Sequence, residues 1–585
     1  MSGADAGRGD HIVVVGAGLS GLSAALHLLG AGRSVTLVER EDGPGGRAGR
    51  TEAAGYRLDT GPTVLTLPHL VDEALAAVGE RLADRVELTR LEPAYRARFA
   101  DGSRLDVHTG AEAMEEEIRR FAGPADAAGY RRLRRWLREL HRVQMRSFID
   151  AHLDSPLGLL VPDLARLAAL GGFRSWHGRV ARFLRDERLR RVFTFQSLYA
   201  GVPPHRAAAA YAVIAYMDTV AGVHFPRGGL HAVPRAMARA AAGAGARFVY
   251  GEAVTELERR GERAVAVRTA QGARIPCDAV VLTCDLPVAH RLLGGAPRRP
   301  LPLRYAPSAV VLHLGGSRTW PELAHHTLFF GAAWRRTFRE LTTTGEVMSD
   351  PSLLVTRPTA TDPSLAPPGR HLHYVLAPCP NLAVGPRDWT HTGPRYRDAL
   401  VTELRRRGLT GLGDPAETEL ERLVTPADWA RQGLAAGTPF SAAHSLAQTG
   451  PFRPRSVPSG WANVVLAGCG TTPGVGVPTV LISGKLAAAR LLGAVPGRHP
   501  ARGTGRRRAA APGTRTRPAT PAGPVPSTPF PSEEQGASGR ALSVAPSSGQ
   551  ASPGPAGQTP SGPASSAGKR ATGVPPAGHR GQVPG

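Results

Sequence analysis

The sequence predicts an α/β fold: a parallel-sheet domain built from discontinuous pieces, an inserted α+β domain, and a disordered C-terminal tail. Three observations predict it. A strand–turn–helix–strand unit with spaced glycines fills residues 11–39, strand-like apolar runs recur in two distant places, and composition breaks sharply after residue 492. With 585 residues and 42% hydrophobic content, the chain exceeds one ordinary core and calls for at least two lobes.

The first unit is the most informative. His11-Ile-Val-Val-Val15 reads as a buried parallel strand that runs straight into Gly16-Ala-Gly18-Leu-Ser-Gly21. An apolar-periodic helix follows to Leu29 and stops at Gly30 and Gly32, and Ser34-Val-Thr-Leu-Val38 is a second parallel strand ending at Glu39. Gly16 permits the tight turn, Gly18 lets backbone approach a pyrophosphate, and Gly21 lets the helix pack on the strand. The helix N-terminus offers free N–H groups to phosphate charge, and Glu39 is placed to accept from an adenosine ribose. This is a Rossmann-type unit for the ADP half of a dinucleotide. The acid suits NAD and FAD equally.

Next come Asp42-Gly-Pro-Gly45-Gly46-Arg47 and Tyr56-Arg-Leu-Asp-Thr-Gly61-Pro62-Thr63. Adjacent glycines admit a ligand to the backbone, and an arginine can neutralise a pyrophosphate. The same residues also read as an ordinary loop. Arg-rich helical stretches follow at 111–142 and 163–191, and the longest apolar run, 207–217, is too short for the roughly 20 residues of a membrane-spanning helix. Strand-like runs return at 246–257, 264–269 and 277–285. A mixed region then leads to a last strand near 461–469 and a helix to 492.

The formal charge of +24 is almost entirely arginine, since Lys485 and Lys569 are the only lysines. Ten arginines, one lysine and two glutamates from Gly497 onward carry +9 of it. That segment is rich in Pro, Ser, Gly and Ala, has Phe530 as its sole aromatic, and cannot bury enough apolar surface to order itself. With no nucleic-acid motif, charge alone does not make a nucleic-acid partner. Four cysteines without a CxxC pair suggest a reducing compartment, and MSGADAGRGD has no apolar signal core, so a cytoplasmic location is expected.

Gly45-Gly46-Arg47 after the strand-ending Glu39 resembles the amine-oxidase-like flavoprotein superfamily. The run from Asn463 through Gly468-Cys469-Gly-Thr-Thr472-Pro473-Gly474-Val-Gly476-Val477 to Gly484 looks like the closing signature of bacterial phytoene desaturases, which act on carotenoids. The blocks Gly222-Val-His-Phe-Pro-Arg-Gly-Gly229, Ala324-His-His-Thr-Leu-Phe-Phe-Gly331, Tyr374-Val-Leu-Ala-Pro378 and 440–454 extend it over nearly the whole body, leaving out the tail. Thr472 stands where that family commonly has His, and Cys469 where it has Ala.

The resemblance implies FAD as cofactor. It places Gly16, Gly18, Gly21, Glu39, Gly45, Gly46, Arg47, Gly61 and Pro62 around it, with Val254 at the adenine, Asp285 nearby, and Gly468, Gly474, Gly476 and Val477 at the isoalloxazine. It implies a linear, phytoene-like carotenoid substrate, oxygen or a quinone as electron acceptor, and peripheral attachment to the inner face of the cell membrane. A carotenoid isomerase, an oxygenase, or a prenyl-binding carrier resembling GDP-dissociation inhibitors are the rival readings on related folds. The expected division is a flexible 1–10, FAD-binding pieces at 11–70, 225–300 and 456–496, a helical substrate- and membrane-facing region at 71–224, a second substrate part at 301–455, and the tail at 497–585.

Desaturating a hydrocarbon leaves the difficult step to the cofactor, and the sequence shows no metal-spaced cluster. His325, His326, His371 and His373 read as structural. Residues 153–184 mix leucines, Phe173 and Trp176 with Arg166, Arg174, Arg179 and Arg182. They read as a helical cap over a channel or as an interfacial helix, and membrane association in the family favours the second. Asp163 and Arg166, spaced i, i+3, match an Asp-x-x-Arg that the resemblance places near the flavin and are the catalytic candidates; an exposed pair is the alternative.

Overall fold

Five strands from three distant parts of the chain form one parallel sheet. They are β1 (His11–Val15), β2 (Ser34–Val38), β3 (Arg247–Val249), β4 (Ala279–Leu282) and β5 (Val464–Leu466), in spatial order β5-β4-β1-β2-β3. The structure is a computed structural model and describes residues 10–493; the tail at 497–585 and all but the last residue of the expected N-terminal stretch lie outside them.

Central placement explains the unbroken apolar run in β1. Val13 pairs with Val280 on one side and Thr36 on the other, and both sheet faces are covered. Ile12 and Val14 face α1 (Leu19–Gly30), α2 (Ala232–Gly243) and α3 (Val477–Leu491). Val13 and Val15 face a three-stranded antiparallel sheet of Val254–Arg260, Arg263–Thr269 and Arg274–Pro276, through Leu257, Val267 and Ile275. Helices α1 and α3 touch almost backbone to backbone. A Cβ on Gly484 would lie 2.2 Å from the Ser20 carbonyl, and the Ser23 hydroxyl donates to the Leu481 carbonyl at 2.7 Å.

A seven-stranded sheet forms the second lobe, in order Thr418–Val424, Ser308–Gly316, His371–Cys379, Leu353–Thr356, His326–Phe330, Tyr95–Phe99 and Arg104–Val107. It is antiparallel except where His326–Phe330 meets Tyr95–Phe99. The expected helical region 71–224 therefore supplies two strands. Their signal is a period of two: Tyr95, Ala97 and Phe99 are buried while Arg96 and Arg98 alternate outward. The expected helix at 111–142 is two helices, Ala111–Ala122 and Pro124–Gln144, separated by Gly123 at φ 87°. The expected run at 163–191 is three short helices, Pro162–Ala169, Trp176–Val180 and Glu187–Val192, with Gly171 at φ 74° in the first gap.

Candidate functional site

Glycines set the nucleotide end of the site by how closely backbones approach. Gly16 turns at φ 104° against Thr283, whose hydroxyl donates to the Val15 carbonyl at 2.8 Å. A Cβ on Gly21 would sit 2.0 Å from the Gly16 carbonyl oxygen, so only glycine lets α1 start against the turn. Gly18 caps α1 with extended backbone and meets no atom closer than 3.8 Å at its Cβ position, which leaves that side open. The Glu39 carboxylate, buried at the end of β2, accepts from the Ala17 N–H at 2.6 Å and the Glu41 N–H at 3.1 Å. It thereby braces the turn and keeps lone pairs for a ribose.

The later segments fold onto this turn. The Gly45 N–H donates to the Ala17 carbonyl at 2.9 Å, and a Cβ on Gly46 would be 3.2 Å from the Gly18 Cα. A Cβ on Gly61 would be 1.9 Å from the Arg47 carbonyl, so the loop of Gly61 and Pro62 lies directly on it. Asp59 holds that loop, accepting from the Leu230 and His231 N–H groups at 2.6 and 3.1 Å, while burial pushes its pKa up to about 6. The Glu252 N–H donates to the Glu39 carbonyl at 2.9 Å, bringing Val254 to the same cavity.

Arg47 is held otherwise than expected. Its guanidinium donates to the Asp285 carboxylate at 2.8 Å and to the Cys469 sulfur at 3.4 Å, so its charge is already compensated. Its Nε is buried without a partner. Asp285 also caps the Leu286–Leu292 helix, accepting from the Leu286 N–H at 2.8 Å. The open N-terminus of α1 is the feature here chemically suited to a phosphate.

The closing stretch places a second helix N-terminus at the cavity. Gly474 and Gly476 have φ of 136° and 127°, and α3 begins at Val477 with its first N–H groups ahead of any intrahelical bond. Gly468 donates to the Ser483 hydroxyl at 3.0 Å, and Ser483 donates to the Thr472 carbonyl at 2.9 Å. His444, which the sequence did not single out, packs where a Gly474 side chain would stand, and burial keeps it neutral. Arg453, also unforeseen, is fully buried and donates to the carbonyls of Thr471, Ala442, Cys469 and Gln448. It fastens 469–471 to 442–448, and burial lowers its pKa to about 10, so it stays charged at neutral pH. The blocks containing both residues were recognisable, but nothing in a linear pattern marks a residue that acts by bridging.

These loops line a cavity of about 1700 Å³ whose wall continues over Leu159, Leu164, Leu167, Phe173, Leu354 and Leu376. The residues fit FAD: two helix N-termini, glycine-lined backbone, the Glu39 carboxylate and the orphaned Arg47 Nε face one space. His325, His326 and His373 are buried within the second lobe. His325 and His326 bond Thr361 and the Thr63 carbonyl, and burial lowers His326 to about 4 and His373 to about 3. Among the described residues no group of three or more His, Cys, Asp or Glu is arranged to hold a metal.

Asp163 and Arg166 are not brought to this cavity. They pair at 2.8 Å on Pro162–Ala169, Arg166 is largely exposed, and Asp163 also accepts from the Ser147 hydroxyl, which with Arg166 holds it below the usual carboxylate range. Leu164 and Leu167 of that helix line the cavity instead. Asp163→Asn is accordingly expected to keep the flavin and full turnover, measured on flavin-loaded protein; a loss of turnover with flavin retained would restore the catalytic assignment. Trp176, expected among the interfacial residues, is fully buried, its Nε1 donating to the Phe193 carbonyl at 3.0 Å.

Comparison with known proteins agrees with this geometry. Residues 19–492 match the family described as flavin containing amine oxidoreductase. The chain is 71% identical over 486 residues to a phytoene dehydrogenase of Streptomyces griseus, covering 83% of this chain and 95% of that protein. It is 38% identical over 496 residues to a zeta-carotene-forming phytoene desaturase of Myxococcus xanthus, covering 83% and 94%. Among solved structures, a triple mutant of putrescine oxidase from a redesign of cofactor binding superposes with a TM-score of 0.54 at 16% identity, covering 83% of this chain and 99% of that one. At that identity the likeness shows the fold alone.

Proposed function

Because the chain belongs to the flavin-containing amine oxidoreductases, in their phytoene desaturase branch, we propose that it is an FAD-dependent desaturase of phytoene or a related linear carotenoid. The observation that carries this reading is the shared cavity: the glycine loops and the aliphatic wall enclose one space, as hydride transfer from a hydrocarbon to a dinucleotide requires. Bound there, FAD supplies a hydride acceptor. The protein's own work is to hold the nucleotide with Glu39 and the α1 N-terminus, to set the α3 N-terminus where negative charge develops, and to keep a polyene dry and aligned. The flavin-contact roles of Gly45, Gly46, Gly61, Pro62, Val254, Asp285 and Gly468 are part of this proposal, as are oxygen or a quinone as the final acceptor. Retention of Gly46, Arg47 and the stretch from Gly468 to Val477 speaks against a flavin-free prenyl carrier. Expression in a phytoene-accumulating host should convert phytoene to more unsaturated, coloured products; unchanged phytoene beside flavin-loaded protein would sink the reading.

We further propose that the substrate enters from a membrane surface. No helix among the described residues is long and apolar enough to cross a membrane. Phe173, Leu446 and Phe452 both line the cavity and face solvent, 52%, 57% and 48% exposed, so they mark its mouth. Leu157 and Leu160 stand beside them, 74% and 75% exposed, with Arg166, Arg174 and Arg182 on the same stretch also exposed. Exposed apolar side chains on a stretch that also exposes arginines suit an anionic lipid headgroup layer. On this proposal the inner side chains of 153–184 cap the channel while its outer ones insert into the headgroup layer. The double substitution Leu157→Glu, Leu160→Glu is expected to reduce cosedimentation with anionic phospholipid vesicles tenfold or more, because burying each leucine is worth about 1.5–3 kcal/mol. Flavin content should not change; unchanged vesicle binding would move the docking surface elsewhere.

A further inference from the structure

The apolar part of the cavity contains a carboxyl group without a counter-ion. Asp218 lies in a one-turn π-helical segment, Met217–Ala221, is 4% exposed, and lines the cavity. Its Oδ2 is buried without a hydrogen bond of normal geometry, the Tyr95 hydroxyl and the Gln196 amide being near enough to favour its charge. No arginine, lysine or histidine pairs with it among the described residues. The groups that face it come from two other parts of the chain: the Tyr95 phenol, and the Gln196 amide and Tyr199 phenol of one short turn. The buried Tyr95 hydroxyl has no partner other than Asp218, and the Gln196 carbonyl oxygen is buried without one. Tyr199 lines the cavity and neighbours Tyr374, whose hydroxyl donates to the Gly61 carbonyl at 3.0 Å, so the cluster reaches the loop assigned to the cofactor.

Such an arrangement is costly. A buried polar atom left unmatched forfeits about 1–3 kcal/mol, more when charged, and a short apolar side chain at 218 would avoid that cost. Orphaned carboxyls in clefts and π-helical turns both concentrate at functional sites. Resting on the desaturation reading above, we propose that Asp218 accepts the proton that desaturation removes from the polyene. One carbon gives up a hydride, whose two electrons reduce the bound FAD. A C–H bond on the adjacent carbon breaks, its electron pair becomes the second bond of the new C=C, and its proton goes to the Asp218 carboxylate. Tyr199, Tyr95 and Gln196 are positioning residues that hold the carboxyl.

Burial pushes the pKa of Asp218 up to about 7. The signs follow. The base is active when ionised, so turnover should rise with pH through about 7. Folding favours the protonated form, so the group's contribution to stability is complete below the unfolded pKa of 3.8 and is lost as pH rises through about 7.

The test compares wild type, Asp218→Asn and Asp218→Glu as flavin-loaded protein with phytoene in vesicles. Asp218→Asn is expected to bind flavin and phytoene as wild type does while turnover falls roughly 100-fold or more, the scale of general-base catalysis. The acid limb of the pH profile should vanish, and Asp218→Glu should recover part of the rate with the limb displaced. Independently of activity, wild type should show an infrared carboxylic acid band that titrates near pH 7 and is absent from Asp218→Asn. Near-wild-type turnover with the limb intact in Asp218→Asn would overturn the proposal. So would loss of flavin or phytoene binding in that variant without rescue by Asp218→Glu, which would mark a structural role. A wild type that binds phytoene but never converts it would instead overturn the desaturation reading beneath both.

Discussion

Gly21→Val is expected to yield protein without bound flavin. The first atom of the new side chain would stand 2.0 Å from the Gly16 carbonyl oxygen, and Thr283 closes the remaining space at 3.2 Å. Neither neighbour can retreat, because Gly16 is the turn out of β1 and Thr283 is tied to the Val15 carbonyl. Helix α1 would have to lift off the sheet, carrying with it the N–H groups proposed to bind the pyrophosphate and the contact with α3 at Gly484. Overpacking of this kind costs about 3 kcal/mol or more, since the clash is with backbone. The ratio of flavin absorbance to protein after desalting, with the thermal midpoint, measures both effects. Gly243→Ala is the control: it ends α2, has nothing within 4 Å of its Cβ position, and should leave both values unchanged. A Gly21→Val protein with full flavin content would mean that α1 does not hold the cofactor.

Arg453→Met is expected to destabilise the fold by about 3–5 kcal/mol and to weaken flavin retention. The guanidinium is buried with no carboxylate against it, and its donors go to carbonyls on both sides of the site. Methionine fills similar volume but strands those oxygens away from water. The loop at 469–472 would then lose its tie to 442–448, along with the seat of His444 on Gly474. Arg453→Lys should fall between the two, because an ammonium has three donors and no planar fork to span the carbonyls. Denaturant midpoints and flavin dissociation measure it. A change below about 1 kcal/mol would show that solvent enters and satisfies the loop in place of the arginine.

The nucleotide end of the site was legible because its chemistry is local. Within residues 11–39 the strand, the glycine spacing, the helix and Glu39 must occur in order, and the backbone constraints that require glycine act between near neighbours. The pairing of β1 with β4, and of β4 with β5, was anticipated only as separated apolar runs, since a parallel neighbour leaves no mark on a strand beyond burial on both faces. Tyr95–Phe99 was missed although its alternation was present, because the arginines between the buried residues resemble the charged helices that follow. Asp163 and Arg166 illustrate the converse. Helical spacing shows that two side chains can meet, but not whether they meet toward a cavity or toward solvent.

Sequence alone thus determined the dinucleotide turn and, through its longer motifs, the family and the flavin. Tertiary structure alone decided which charge neutralises Arg47, that Arg453 and His444 brace the loop leading into α3, that the leucines at 157 and 160 face outward, and that Asp218 stands without a counter-ion at the cavity. The physical reason is a difference in range. Backbone conformation and periodicity are set by residues a few positions apart, whereas desolvation and hydrogen-bond satisfaction depend on what the folded chain brings from hundreds of positions away, and the chemistry of the substrate half is governed by these.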